Sequence, residues 1–465
     1  MTFYPASALV ILIWLWASFR DPDRGVAVCI AILPFGMFAA VDAGGLSVLA
    51  AHLVAVLTIG SLILRRFAGH ASPVSLCRSG LLLIVFAVYA LFSATVLIAV
   101  FAGQFLVFPL SFDRSGLAVS IHFGSTMKPL ASSNSNIAQA GYILLSTAIF
   151  VVVVDQIRRR GTAIVLAGAV WAATLNITLG IVDFLALDDL LAFIRTADYA
   201  LANKHSFLGM PRVIGGFAEA SEFGPVSAAF FGFFAVLYMA GRRSRDLWLA
   251  VGNLVLSAMS FSTTAYVALF VAVVLVVVQA RRLLVGMSRT FGHLLVTAFA
   301  AVIFGGVCAL ILTPAADTTG DVFKNLFFEK SASNSGLERG AWARSALDAF
   351  VQTLGFGAGV GSLRGNGLAS VLLGSVGWPG TLAFIGFLWA AVGPVYSFRG
   401  VEMFGMFSAA RVMVLIVLSG QLVSATTPDP TLLLVIFAAL AAVLRQHGSA
   451  SHTVQADFLR TRLHP

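Results

Sequence analysis

Long apolar runs separated by short polar connections dominate the chain. A helix that crosses the hydrocarbon core of a bilayer needs about 20 predominantly apolar residues. The pattern predicts about 13 membrane-spanning helices, with 12 or 14 as the alternatives, because the run 247–280 is divided only by polar residues near Ser260. The predicted spans are 6–19, 26–41, 46–64, 81–102, 137–154, 163–187, 215–240, 247–260, 264–280, 294–313, 371–394, 412–425 and 431–444. The predicted fold class is therefore all-α, a polytopic membrane helix bundle.

The composition agrees with a membrane protein. Hydrophobic residues make up 59% of the 465 residues and charged residues 11%, and the mean hydropathy is +0.96. Soluble domains carry about 25% charged residues. The net charge of +9 is typical of cytoplasmic loops rich in Lys and Arg, so no nucleic-acid partner is expected. The first apolar run lacks a basic leader and a cleavage site, which indicates a retained span.

The distribution of basic residues predicts the orientation. Of the 29 Lys and Arg residues, 19, including Arg411, lie in one set of connections and in the C-terminal tail. Short basic loops are cytoplasmic, which places the N-terminus outside and the C-terminus inside. Three long loops then lie outside, at 103–136, 188–214 and 314–370. We therefore divide the chain into N-terminal spans (1–187), a region with two outer loops (188–400), and C-terminal spans with a tail (401–465).

The segment 210–225 (MPRVIGGFAEASEFGP) stands where the second outer loop enters an apolar helix. It places Arg212 at the membrane rim and Glu219 and Glu222 just inside. If the helix begins at Gly216, the two carboxylates share a face, and Pro225 is expected to kink the helix beside them. Charged groups at membrane depth are costly and usually functional. The structural alternative is that both acids pair with cations of a neighbouring helix.

The third outer loop contains a helical pattern. Residues 338–350 (ERGAWARSALDAF) place Trp342, Ala346 and Ala349 on one side, which predicts an amphipathic helix lying on the outer membrane interface. The run 355–361 (GFGAGVG) follows. Its alternate glycines permit tight backbone turns. They fit either a turn that approaches a phosphate or a plain re-entrant bend.

Several kinds of chemistry are missing from the sequence. It has no HExxH motif, Walker motif or paired cysteines. Asp21 and Asp23 have the spacing of a metal-binding pair but fit a solvated cytoplasmic turn, so we expect no metal and no cofactor. The outer loops carry arginines and a few carboxylates. Arginines can clamp a diphosphate, and a shielded carboxylate can accept a proton from a hydroxyl. This set suits transfer of a group from a lipid diphosphate to an alcohol.

The sequence resembles the Wzy/O-antigen-ligase superfamily of bacterial envelope enzymes. The resemblance rests on 212–221 (RVIGGFAEAS), 256–266 (LSAMSFSTTAY), 338–342 (ERGAW), 357–361 (GAGVG) and 371–377 (VLLGSVG), in that order. Members have a fold of the GT-C glycosyltransferase type and act without metal on sugars linked to undecaprenyl diphosphate. Many members carry an arginine in the short turn where this chain has Thr263 and Thr264, so no role is transferred to that turn.

The resemblance implies a polysaccharide polymerase of the bacterial inner membrane, with its active site facing the periplasm. Its substrates would be undecaprenyl-diphosphate-linked oligosaccharides, the repeat units of an O-antigen or exopolysaccharide, and a flippase and a chain-length regulator are implied partners. The expected catalytic residues are Arg212, Glu219 and Arg339, and the expected substrate-binding residues are Lys204, His205, Glu222, Arg344 and Arg364. Glu219 is the first candidate for the general base, with His205 and Glu222 as alternatives.

Two other functions stay open from the sequence. One is an O-antigen ligase that transfers glycan to lipid A core or protein. Ligases of this superfamily use a histidine in the large loop, and 314–370 contains none. The other, from a different class, is a secondary transporter or flippase. Such proteins often contain inverted repeats with a site near the midplane, whereas this chain shows no repeat and its charges cluster at the outer rim.

Overall fold

The structure is a computed structural model that describes residues 2–43, 46–69, 76–110, 124–197, 206–207, 210–283, 334–394 and 400–449. Helices dominate these ranges. In chain order they are α1 (Pro5–Arg20), α2 (Arg24–Ala31), α3 (Ala50–Phe67), α4 (Arg78–Phe92), α5 (Ile98–Phe101), α6 (Asn134–Arg160), α7 (Ala163–Phe184), α8 (Asp188–Ala192), α9 (Ala220–Gly241), α10 (Ser244–Met259), α11 (Thr263–Leu283), α12 (Asn334–Gln352), α13 (Leu368–Val392), α14 (Val401–Ser424) and α15 (Leu432–Ser449). A π-helical turn, Ser93–Leu97, joins α4 to α5.

The strands are short and lie at the ends of helices. An antiparallel sheet joins β1 (Thr2–Phe3), β2 (Ala39–Ala43) and β3 (Leu46–Leu49) in that order beside the start of α1. Two antiparallel ladders consist of β4 (Leu106–Val107) with β5 (Lys128–Pro129), and of β6 (Ser206–Phe207) with β7 (Met210–Pro211). These strands close loops over one end of the bundle.

The protein is a multi-pass helical membrane protein. Within the described ranges, eight helices are long and apolar enough to cross a membrane. They are α3, the continuous α4–α5 rod, α6, α7, α9, α11, α13 and α14. Helix α1 and the apolar part of α15, Leu432–His447, are shorter. The predicted span 294–313 lies outside the described residues, so the total of about 13 stays a prediction.

Three predicted spans differ from the observed helices near a charged residue or a backbone break. The span 26–41 is not one helix, because α2 ends at Ala31 and turns follow before β2. Pro34 lacks an amide and disfavours helical geometry at the preceding residue. The span 412–425 is too short, because α14 begins at Val401 and places Arg411 inside the helix. The span 215–240 begins as a helix only at Ala220.

Helix α9 occupies the centre of the bundle. It packs against α10, α11 and α14, and most of its residues are buried. Its Phe233 ring meets the ring of Phe437 in α15 edge to face, with centroids 4.9 Å apart. A side chain in place of Gly420 of α14 would contact Pro225 of α9. Close packing of this kind fixes the position of α9.

One end of the bundle is held by arginines. Arg159 and Arg160 at the end of α6 contact Asp23 at 3.1 and 3.2 Å, and Arg66 at the end of α3 contacts Asp155 at 3.0 Å. The side chain of Asp23 is only 4% exposed. The prediction that Asp23 belongs to a solvated turn is therefore wrong. We call this end, defined by Arg66, Arg159 and Arg160, the arginine end.

A half-buried acid lies at the opposite end, in the loop between α14 and α15. Asp429 accepts a hydrogen bond of 2.9 Å from Ser146 Oγ of α6. Burial raises the pKa of Asp429 to about 6, although hydrogen bonds from Ser146 and from the backbone of Thr431 oppose the shift. The loop is thereby tied to the middle of the bundle through a carboxyl group that is costly to ionise.

Candidate functional site

The loop 212–219, which leads into α9, is anchored by a buried ion pair. Asp183, in the last turn of α7, accepts hydrogen bonds from the amides of Ile214 and Gly215 at 2.7 and 3.1 Å. Its other oxygen accepts a bond of 2.6 Å from Arg195, which also donates to the carbonyl of Gly215. The side chains of Asp183 and Arg195 are 3% and 11% exposed. The amide and the carbonyl of Gly215 are thereby both held by side chains of this ion pair.

The same loop is held on its other side by the turn between α10 and α11. The amide of Val213 donates to Met259 O, and Arg212 Nε donates to Ser260 O, both at 3.3 Å. Burial lowers the pKa of Arg212 from its usual value, and Arg339 lowers it further, whereas Glu219 acts in the opposite direction. An arginine remains protonated despite such a shift. A half-buried positive charge therefore stands at the entrance of α9.

Glu219 is the residue at which the predicted catalytic groups meet. It occupies the N-cap position of α9 with an extended backbone, and its Oε2 accepts a hydrogen bond of 2.6 Å from Ser221 Oγ. Arg339 Nη2 of α12 lies 3.6 Å from the same oxygen. Arg212 is also within electrostatic reach of Glu219, so two arginines act on one carboxylate. That side chain remains 24% exposed.

Glu222 supports the start of α9. It lies in the first helical turn and accepts a hydrogen bond from the backbone amide of Ala218. A glutamate that reaches back over the first turn satisfies an amide that has no partner within the helix. Glu222 is exposed, and it lies close enough to Glu219 for the two carboxylates to repel. This geometry favours a supporting role for Glu222 over that of a base.

A second group of polar contacts positions α12. Glu338 Oε1 accepts hydrogen bonds from the amide and the hydroxyl of Ser125 at 3.1 and 2.8 Å. Trp342 Nε1 donates to Ser125 Oγ at 2.9 Å. The Trp342 side chain is buried, so this side of α12 packs inside the protein and does not face the membrane interface. The apolar face of α12 packs against α13 instead, because Ala346 lies directly beside Gly374.

Arg364 links the two groups. Its guanidinium lies over the Trp342 ring, 5.0 Å from the centroid, and it donates to Leu110 O. Burial lowers the pKa of Arg364, while Glu338 and Glu219 act in the opposite direction. The arginine is therefore within electrostatic reach of both carboxylates. The candidate site thus comprises Arg212, Glu219, Arg339 and Arg364.

The other predicted site residues do not join this cluster. Arg344 lies on α12 but is exposed, away from the buried face that carries Trp342. Lys204 and His205 lie outside the described residues. Within the described ranges, no group of three His, Cys, Asp or Glu side chains is placed to hold a metal ion.

The glycine run after α12 is a packed bend. The glycines at 355, 357, 359 and 361 all have positive φ. The amides of Gly357, Ala358 and Gly359 donate to Thr353 Oγ1, to the carbonyl of residue 374 and to that of residue 375. The amide of Val360 donates to the hydroxyl of residue 93. Because these amides already have protein partners, the structure favours a bend over a phosphate-binding turn.

Asp183 and Arg195 were missed as site residues from the sequence. Asp183 lies in the apolar run 163–187, and a carboxylate at such depth is itself a signal of function or pairing. Arg195 gave no comparable signal, because its place in a polar loop is typical of solvated surface. Only the fold brings the two side chains together beneath Gly215.

Comparison of the chain with models of protein families, with curated proteins and with solved structures gives no match. The resemblance to the Wzy/O-antigen-ligase superfamily therefore rests on sequence motifs alone.

Proposed function

We propose that the protein is a membrane glycosyltransferase that polymerises lipid-diphosphate-linked oligosaccharide repeat units into an exported polysaccharide. The convergence of Arg212 and Arg339 on Glu219, at the end of the bundle opposite the arginine end, carries this proposal. Two guanidinium groups beside an accessible carboxylate suit a reaction that releases a diphosphate and takes a proton from a hydroxyl.

In the proposed reaction, an acceptor hydroxyl attacks the anomeric carbon of the donor sugar. A bond forms between that carbon and the hydroxyl oxygen, and the bond between the carbon and the diphosphate oxygen breaks. Glu219 takes the hydroxyl proton. Arg212 and Arg339 neutralise the charge that develops on the leaving lipid diphosphate, as fixed cationic donors do in other transferases.

The surrounding residues serve this geometry. Arg364, held over Trp342, adds a third positive charge near the acids and can contact the glycan or the diphosphate. Glu222 secures the first turn of α9, so that Glu219 keeps its position. We place the site on the periplasmic face of a bacterial inner membrane, because the arginine end fits the cytoplasmic side.

The purified protein, reconstituted in lipid, should lengthen glycans when supplied with lipid-linked repeat units. Arg212→Lys keeps the charge but loses the bidentate fork, and should retain part of the binding while losing much of the rate. Arg212→Ala should lose more, on the order of 3 kcal/mol of transition-state stabilisation, or about a hundredfold in rate. Arg344→Gln is the matched control, because Arg344 lies on the same helix as Arg339 and is exposed.

Glu219→Gln separates the catalytic role from the structural one. It keeps the shape and hydrogen bonding of the side chain but cannot accept the proton, so polymer should disappear while substrate binding and protein level stay normal. A well-expressed Glu219→Gln protein with normal chain lengths would exclude Glu219 as the base. Movement of the lipid-linked unit across the membrane without glycosyl transfer would favour a transporter and overturn the proposal.

A further inference from the structure

Arg411 is an unexpected charge within a membrane helix. It is the eleventh residue of α14, about 15 Å along the axis from the helix start. Its flanking residues Ala410 and Val412 are buried. Within the described residues its Nε atom is buried and has no hydrogen-bond partner. Arginine at such a position is costly and is usually retained for a ligand or a partner.

The charged groups that act most strongly on Arg411 are themselves arginines. Arg282, near the end of α11, and Arg445, in the last turns of α15, both act on it electrostatically with the same sign. Helices α11 and α15 both pack against α14, and they bring Arg282 and Arg445 within electrostatic reach of Arg411. Such like charges repel unless an anion lies between them.

Exposed apolar side chains of α13 lie beside Arg445. Arg445 donates hydrogen bonds to the carbonyls of Trp389 and Ala390 at the end of α13. On the same face of α13, Ile385 and Trp389 are 53% and 65% exposed. Exposed aliphatic and indole groups beside a guanidinium form a surface that fits an acyl chain below a headgroup. A soluble anion would use the charge but not the apolar surface.

We propose that Arg282, Arg411 and Arg445 bind the phosphate headgroup of an anionic phospholipid at the end of the bundle opposite the candidate site. The guanidinium groups contact the phosphate oxygens, and the acyl chains lie along Ile385 and Trp389. Basic pockets between membrane helices bind anionic headgroups in this way. This site is independent of the proposed glycosyltransferase activity.

Native mass spectrometry of the full-length protein in detergent tests the proposal. The wild type should retain phosphatidylglycerol in preference to phosphatidylcholine of the same chain length. Arg411→Gln and Arg282→Gln should each weaken phosphatidylglycerol binding about fivefold. Arg281→Gln is the matched control, because Arg281 neighbours Arg282 and is exposed, but it is not among the charges that act most strongly on Arg411. It should bind as the wild type does.

Three results would overturn the proposal. Equal retention of both lipids would show that charge does not select the ligand. Unchanged phosphatidylglycerol binding in the Arg282→Gln/Arg411→Gln double variant would show that the lipid lies elsewhere. Displacement of the lipid by excess inorganic phosphate would identify a site for a soluble anion. If Arg411→Gln does not fold, Arg282→Gln decides alone, because Arg282 is exposed near a helix end.

Discussion

The ion pair between Asp183 and Arg195 offers the sharpest test of how the candidate site is built. Asp183→Asn keeps the size of the side chain and removes its charge, and Arg195→Met keeps the length of the aliphatic stem. Each variant leaves one charge of a buried pair without its partner. Side-chain exposures of 3% and 11% place the pair in the buried class, for which loss of one partner costs about 3–5 kcal/mol.

Asp183 also accepts hydrogen bonds from the amides of Ile214 and Gly215 through one oxygen. An asparagine that keeps both of these bonds turns its NH2 group towards the guanidinium of Arg195, so Asp183→Asn should destabilise the protein by at least as much as Arg195→Met. The double variant removes both charges. Its free energy of unfolding should fall by less than the sum of the decreases in the two single variants. The expected coupling is about 0.5–3 kcal/mol, the range for residues in direct contact.

Unfolding of the purified protein in detergent, followed by tryptophan fluorescence, measures the four members of this cycle. Hydrogen exchange at the amides of Ile214 and Gly215 reports on the loop itself and should accelerate in both single variants. Asp189→Asn is the control, because Asp189 is an exposed acid in α8, and should change stability by less than about 0.5 kcal/mol. Additive single effects, with coupling below about 0.5 kcal/mol, would refute the anchoring role.

Four further predictions follow from the fold and from the proposed function. The raised pKa of Asp429 means that its protonated form stabilises the folded state, and that this stability is lost as the pH rises from the unfolded value near 3.8 to about 6. Asp429→Asn should therefore stabilise the protein more at pH 7.5 than at pH 5, by about 1.4 kcal/mol, and an equal effect at both pH values in thermal unfolding would contradict this. Gly359→Ala should destabilise the protein, because the added Cβ would contact side-chain and backbone atoms. The control Gly340→Ala lies in a helix with open space around it and should stabilise the protein by up to about 1 kcal/mol. A cysteine probe at Asn334 should react with an impermeant reagent from outside and one at Ser244 should not, and the reverse labelling would invert the proposed orientation. Glycosyl transfer should survive EDTA, and its rescue by magnesium after loss would show that a metal takes part.

The helices that sequence predicts well are those with apolar runs and clear ends. Helix α6 is an example, because the predicted span 137–154 lies wholly within it. The capping contact between Ser133 and Asn136 and the three arginines before Gly161 extend the helix at both ends. The prediction of one helix over 26–41 is wrong, because hydropathy does not detect the backbone break near Pro34. The predicted boundary near Arg411 is wrong because a charge in an apolar run indicates a membrane edge, whereas the residues before it, such as Gly405, pack against α9.

The candidate site was predictable in its charged residues but not in its scaffold. Arg212, Glu219 and Arg339 carry formal charges in an apolar chain, and such residues are conspicuous in sequence. Their mutual approach could not be computed from spacing, since Arg339 belongs to a different outer loop. The sequence also did not decide whether the glycine run approaches a phosphate or forms a packed bend, because the partners of its amides come from elements distant in sequence.

The packed glycine bend has a consequence for recognising relatives of this chain. Its alternate glycines adopt backbone angles that favour glycine, and added carbon atoms at 357, 359 and 361 would meet backbone atoms of three other segments. A charged residue in the site can be exchanged when the substrate changes, whereas a side chain at these positions displaces a helix whatever the substrate is. A distant chain that shares this fold should therefore retain the glycine spacing after its acids and arginines have diverged. The glycine spacing is then the better search pattern.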